Sequence, residues 1–158
     1  MKVMVTGHRP SKIGGYSKDN PVRAKIIQKI KFLINELNDL APIEGITGMA
    51  IGVDQDFAEI CMDLDIPFLA YIPFVGQENN WPVPVKAEYQ NILERSEDII
   101  VVNEGGYTPK KMMERNVKML EDCDIIIAVW DGEESGGTYH TVNENRKSFQ
   151  KPMIHIKP

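Results

Sequence analysis

Apolar residues in this chain fall into two patterns. Six short blocks are mainly apolar, with no helical spacing: Lys2–Val5, Ile43–Ile46, Pro67–Ile72, Asp98–Val102, Asp124–Trp130 and Pro152–Ile156. Such β-branched runs are expected of strands buried on both faces of a parallel sheet. The longer stretches between them repeat their apolar residues every three or four positions. Asn20-Pro21 supplies a cap and a first-turn proline for a helix with Ile27, Ile30, Ile34 and Leu37 on one stripe. Further helices are predicted over Asp54–Leu64, Pro84–Ser96, Pro109–Glu121 and Thr138–Ser148. Strands alternating with helices imply βαβ crossovers, hence an α/β fold with a doubly wound, mainly parallel sheet flanked by helices. No repeat or linker breaks the alternation, so residues 1–158 are expected to form a single domain.

Composition adds exclusions. A net charge of −5 over 158 residues argues against coating DNA or RNA, which requires neutralising many phosphates. It leaves room for a small anion in one local positive pocket. The longest apolar run, Ile125–Trp130, is too short to span a bilayer, and nothing near Met1 reads as a leader, so a cytoplasmic protein is expected. Cys61 and Cys123 lack metal or redox spacing and read as buried free thiols. His8, His140 and His155 are scattered, so no metal site is supported. A homo-oligomer is expected.

The connections differ at the two ends of the strands. Helix-to-strand turns, such as residues 38–42 and 63–67, are short, acidic or marked by proline. Strand-to-helix loops are rich in glycine, aromatic and polar residues. They are Thr6-Gly7-His8-Arg9-Pro10 with Tyr16 beyond, Thr47 to Asp54, Pro73 to Trp81, Asn103 to Tyr107, and Asp131 to Thr138. In a parallel sheet all of these emerge at the carboxyl edge, where doubly wound proteins bind ligands. Thr6, Gly7, His8, Phe74 and Asp131 therefore count as candidate crevice residues by position.

Two loops read as phosphate sites. Gly48-Met49-Ala50-Ile51-Gly52 can turn backbone amides inward at a helix start, with Asp54 either a cap or a partner for a sugar hydroxyl. Ser135-Gly136-Gly137-Thr138, with Thr141 one turn on, forms a second such loop using neutral donors and the helix dipole. The alternative for both is a tight glycine turn. No lysine follows Gly137, so this is not a nucleotide-triphosphatase loop. Arg9 and Arg115 are the candidate cations, Arg115 having a solvated helix face as its other reading. Tyr16, Phe74, Trp81 and Tyr107 are candidates to stack on a base; Trp130 reads equally as core. Glu144, three residues after Thr141, is either a general base or a surface carboxylate.

The stretches "GMAIGVDQDFAE" and "SGGTYHTVNEN", with "VTGHRP" and "GGY" before them, resemble the paired glycine elements of the SLOG superfamily. Within it they are most similar to small bacterial and phage proteins of the YpsA and YoqJ type. The superfamily also includes the DNA-processing protein A fold and the Lonely Guy phosphoribohydrolases. The resemblance implies a Rossmann-like domain with a nucleotide or nucleotide-derived ligand, of ADP-ribose type for example, in the crevice. In the phosphoribohydrolases a P-G-G-x-G-T-x-x-E element supplies a glutamate that works with an arginine. Here Thr141-Val142-Asn143-Glu144 keeps the last spacing, with Arg9 as the arginine. However, Ser135 stands in place of the proline, and Thr141 lies one residue further from Gly137. Three functions follow as expectations: a nucleotide sensor or sequestering protein, a nucleotide N-glycoside hydrolase, or an accessory protein for single-stranded DNA.

Overall fold

The computed structural model describes residues 1–158. Its strands are β1 (Lys2–Gly7), β2 (Glu44–Thr47), β3 (Phe68–Ile72), β4 (Asp98–Val101), β5 (Ile125–Val129) and β6 (Met153–Ile156). They form one sheet in the order β4-β3-β2-β1-β5-β6, and every pairing is parallel. The helices are α1 (Pro21–Leu40), α2 (Val53–Asp63), α3 (Val83–Arg95), α4 (Pro109–Asp122) and α5 (Gly136–Glu144). The chain steps outward from β1 to β4, then returns through α4 to lay β5 on the other side of β1. The order therefore reverses between β1 and β5, where Thr6 pairs with Ala128 and Gly7 with Val129. A crevice opens above such a switch point because the connections leaving the two strands diverge.

Alternation along the strands divides the core in two. Val3 and Val5 join Ile26, Ile30 and Ile34 of α1, Phe57 and Cys61 of α2, and Tyr89 and Ile92 of α3. Met4, Ile46 and Ile126 face the other way, onto Met119 and Leu120 of α4 and Val142 of α5. The two cysteines are free and lie in these separate cores. On α1, Ile26 joins Ile30 and Ile34 in full burial, while Ile27 and Leu37 are only partly buried, so the apolar stripe sits one residue round from its predicted centre.

Three expectations need correction. Neither β4 nor β6 is buried on both faces: they are the two sheet edges, with Ile99 and Val101 exposed on the first and His155 on the second. An edge strand has neighbours on one side only, which its sequence does not reveal. Thr6 and Gly7 belong to β1 rather than to the loop, because β5 pairs with them to the end. The last helix begins at Gly136, two residues before the predicted Thr138, and its cap position is Ser135. It then continues into a π-helical turn over Asn145–Phe149, closed by Gln150 in the left-handed conformation.

One buried ion pair fastens α1 to α2. Arg23 donates to both carboxylate oxygens of Asp56, at 2.9 and 2.7 Å, and also to the Tyr16 carbonyl at 2.6 Å. The pair fixes the loop that carries Gly14, Gly15 and Tyr16.

Candidate functional site

A crevice of about 540 Å3 lies above the carboxyl ends of β1 and β5. Arg9, Ser11 and Lys12 form one wall, the last two on a 3-10 turn over Pro10–Lys12 and Arg9 at its cap position. Ser135, Gly136, Gly137 and Thr138 form another, at the start of α5. Pro109, Met112, Met113, Arg115 and Asn116 of α4 form a third, and Ala50 and Asp54 the floor. The α4 residues recur at helical spacing after a first-turn proline, so one face of that helix is turned to the crevice.

The α5 wall carries the features of an anion site. Ser135 makes no side-chain capping bond, so the first-turn N–H groups of α5 have no partner from it. Gly136 has φ of 83°, which disfavours any side chain there. A Cβ built on Gly136 or Gly137 would meet nothing within 4 Å, so both glycines face open space. Thr138 is buried in the first turn, and the Thr141 hydroxyl donates back to the Gly137 carbonyl at 3.0 Å. Arg9 is exposed, lines the same crevice and enters no ion pair.

The floor is different in kind. Asp54 is 7% exposed, and the one hydrogen bond to its carboxylate is from the Ala50 N–H to Oδ2 at 3.3 Å. Burial pushes its pKa above the usual carboxylate range, against the pull of the nearby Arg115 guanidinium. Arg115 is itself buried rather than solvated; it donates to the Gly48 carbonyl, and through Nε to Asn116 Oδ1 at 2.8 Å. Its pKa is lowered by the same loss of water, partly offset by Asp54. Gly48 makes room for both groups: a Cβ there would sit 2.6 Å from Arg115 Nη1 and 2.8 Å from Asp54 Oδ2. Gly52 has φ of 109°, and a Cβ on it would approach the His8 carbonyl to 2.6 Å. The β1 loop thus covers the start of α2, and Gly48 and Gly52 serve packing rather than an open amide cradle. Met49 lies buried beneath, outside the crevice lining.

His8 and Lys12 tie the loops together. His8 Nε2 accepts the Asp131 N–H at 3.0 Å and lies 3.1 Å from Asp131 Oδ1. Burial lowers the His8 pKa, against the attraction of Asp131. Lys12 pairs with Asp131 at 3.3 Å and with Glu133, joining the β1 wall to the β5 loop.

Of the aromatic candidates, only Tyr107 lines the crevice. Phe74 is buried behind it, edge-on at 6.3 Å. Trp81 packs on Tyr89 at 5.3 Å, and Tyr16 is exposed away from the lining. Trp130 is half-buried beside Tyr139 and Arg146. Thr141 and Glu144 line a neighbouring recess between α4 and α5, so Glu144 and Arg9 do not share one cavity. Ser11, Lys12, Asn116 and the α4 methionines escaped the sequence reading, although the helical spacing after Pro109 was a usable signal. No helix is long and apolar enough to cross a membrane. No group of three or more His, Cys, Asp or Glu is placed to hold a metal ion.

An all-parallel sheet with a loop-built crevice at its switch point defines a Rossmann-like α/β protein. The chain belongs to the YspA SLOG family, whose model matches residues 3–157. It is similar to UPF0398 proteins of Bacillus cereus (25% identity, 98% of this chain and 88% of the relative) and Bacillus pumilus (26%, 99% and 88%). Among solved structures it resembles DNA processing protein A from Streptococcus pneumoniae, with a TM-score of 0.69 and 16% identity over 98% of this chain. It spans 49%, about half, of that protein. It also resembles DNA processing protein A from Helicobacter pylori, a structure concerned with single-stranded DNA binding. There the TM-score is 0.67 and the identity 20%, over 98% of this chain and 64% of the other.

Proposed function

We propose that the crevice binds a nucleotide or nucleotide-derived ligand, and that the protein acts as a sensor or sequestering protein for it. The observation that carries this reading is a pair of features lining one crevice at the switch point: open N–H groups at the start of α5, and the unpaired Arg9 guanidinium. A phosphate between them would accept from Gly137 and Thr138 amides while Arg9 neutralises its charge. Asp54, with one oxygen free of protein partners, would take a ribose hydroxyl. Hydrolysis is less supported, because Glu144 lies outside the crevice that holds Arg9.

The test is calorimetric titration with inorganic phosphate, AMP and ADP-ribose, followed by chromatography of the incubated ligands. Intact, bound nucleotide supports sensing; release of free base makes the protein a glycoside hydrolase instead. The likeness to DNA processing protein A brings single-stranded DNA into the same panel, where affinity falling steeply with salt would favour it. Gly137→Val should abolish nucleotide binding while the melting temperature stays within a few degrees, since its side chain enters open space. A variant that binds normally removes the phosphate from this wall.

A further inference from the structure

The recess between α4 and α5 adjoins the crevice, and Met113, Asn116 and His140 line both. It measures about 70 Å3, room for the polar edge of a ring rather than a whole ring. Val117 and Leu120 form an apolar wall, and Asn116 and Glu144 supply hydrogen-bonding groups. Asn116 Oδ1 is taken by Arg115 Nε at 2.8 Å, which leaves its Nδ2 as the available donor. Glu144 Oε1 accepts the Ser148 hydroxyl at 2.8 Å and Oε2 has no protein partner, so the carboxylate keeps acceptor capacity on both oxygens. Gly137 and Glu144 are seven residues apart on α5, or about 10 Å at 1.5 Å per residue. That span matches an extended mononucleotide from its phosphate to the far edge of its base.

We propose that this recess is the base subsite of the nucleotide site and that it selects guanine. The inference rests on the nucleotide reading above and narrows its ligand class. A carboxylate accepts two parallel N–H donors well, and an amide NH2 donates to a carbonyl. Guanine presents that complement along one edge: N1–H and N2–H for Glu144, and O6 for Asn116. Adenine would turn the N1 lone pair toward a carboxylate oxygen, and hypoxanthine lacks the amino group. The remainder of the ring lies over Met113 and His140 at the shared rim. Glu144 is thereby a recognition residue, which accounts for its place outside the crevice.

Calorimetric titration of GMP, IMP, AMP and inorganic phosphate separates the two readings. GMP should bind roughly 10- to 100-fold more tightly than AMP, with IMP between them. Glu144→Gln should erase the preference for GMP over AMP while the affinity for inorganic phosphate stays unchanged; Asn116→Ala should weaken GMP and IMP together. Circular dichroism melting confirms that each variant is folded. GMP and AMP binding within twofold of each other, or a guanine preference that survives Glu144→Gln, overturns the base assignment while leaving the nucleotide reading intact. If neither phosphate nor any nucleotide binds, both fall.

Discussion

Removing Asp56 tests the least sequence-evident element of the fold. The carboxylate side chain is fully buried and that of Arg23 is 5% exposed, so neither charge can turn to water without opening the α1–α2 contact. With Asp56→Asn the shape persists but the guanidinium loses its only counter-charge, keeping the Tyr16 carbonyl and one amide oxygen as acceptors. Breaking a buried pair in this way costs about 3–5 kcal/mol. A protein of this size has a total stability on the order of 10 kcal/mol, so the loss is a substantial fraction of it. At roughly 2–4 °C per kcal/mol, the melting temperature should fall by roughly 6–20 °C. Urea denaturation gives the free energy directly if the slope is unchanged. The double variant Arg23→Met, Asp56→Leu separates desolvation from attraction. Apolar replacements of buried ion pairs are often neutral or stabilising, so most of the single variant's loss should return. An Asp56→Asn protein within 1 kcal/mol of wild type, a bound set here roughly by the surface-pair range, would refute the burial argument.

The remaining predictions concern the site and its surroundings. Gly48→Ala should destabilise by about 1–3 kcal/mol, because its methyl displaces two buried charged groups; an unchanged urea midpoint would contradict the packing. Burial holds the folded His8 pKa below its ordinary value of 6.5, so the fold prefers the neutral ring. The unfolded chain then binds more protons just below pH 6.5, and stability present above that pH is lost as pH falls toward the folded value. Melting followed from pH 7.5 to 5 should show this decline, and His8→Gln should flatten it; parallel curves would remove His8 from the effect. Burial raises the Cys61 thiol to about 12 and Cys123 to about 11, so alkylation at neutral pH should be slow in the native state and fast in urea. Mass spectrometry reads that contrast. If the expected homo-oligomer forms through the unguarded apolar edge β4, Val101→Lys should reduce its native mass to that of one chain. An oligomer that persists places the contact elsewhere.

The sheet and the site were legible to different depths for a physical reason. Strand and helix identity depends on local periodicity, and the six apolar blocks reappear as six strands in an all-parallel sheet. The carboxyl-edge loops also stood out, since glycine and polar clusters announce that a backbone turns or meets a ligand. What periodicity lacks is direction in space. Phe74 and Tyr107 sit in equivalent strand-to-helix loops, yet one is buried behind the other. Gly48 and Gly137 read alike in sequence, but the first is closed by Arg115 and Asp54 whereas the second faces open space. Arg115 looked like a solvated helix residue because its partners, Gly48 and Asp54, lie more than sixty residues earlier. Once the reversal of strand order between β1 and β5 is known, these cases resolve together. Residues leaving β1 and β5 border the opening, the start of α2 is roofed by the β1 loop, and α4 must cross over the floor. Arg115 is drawn inward by that crossing, and the face of α4 it leaves free, at Asn116, connects the crevice to Glu144. The strand order, a long-range property, therefore decides which glycines can meet a ligand and which carboxylate can reach a base.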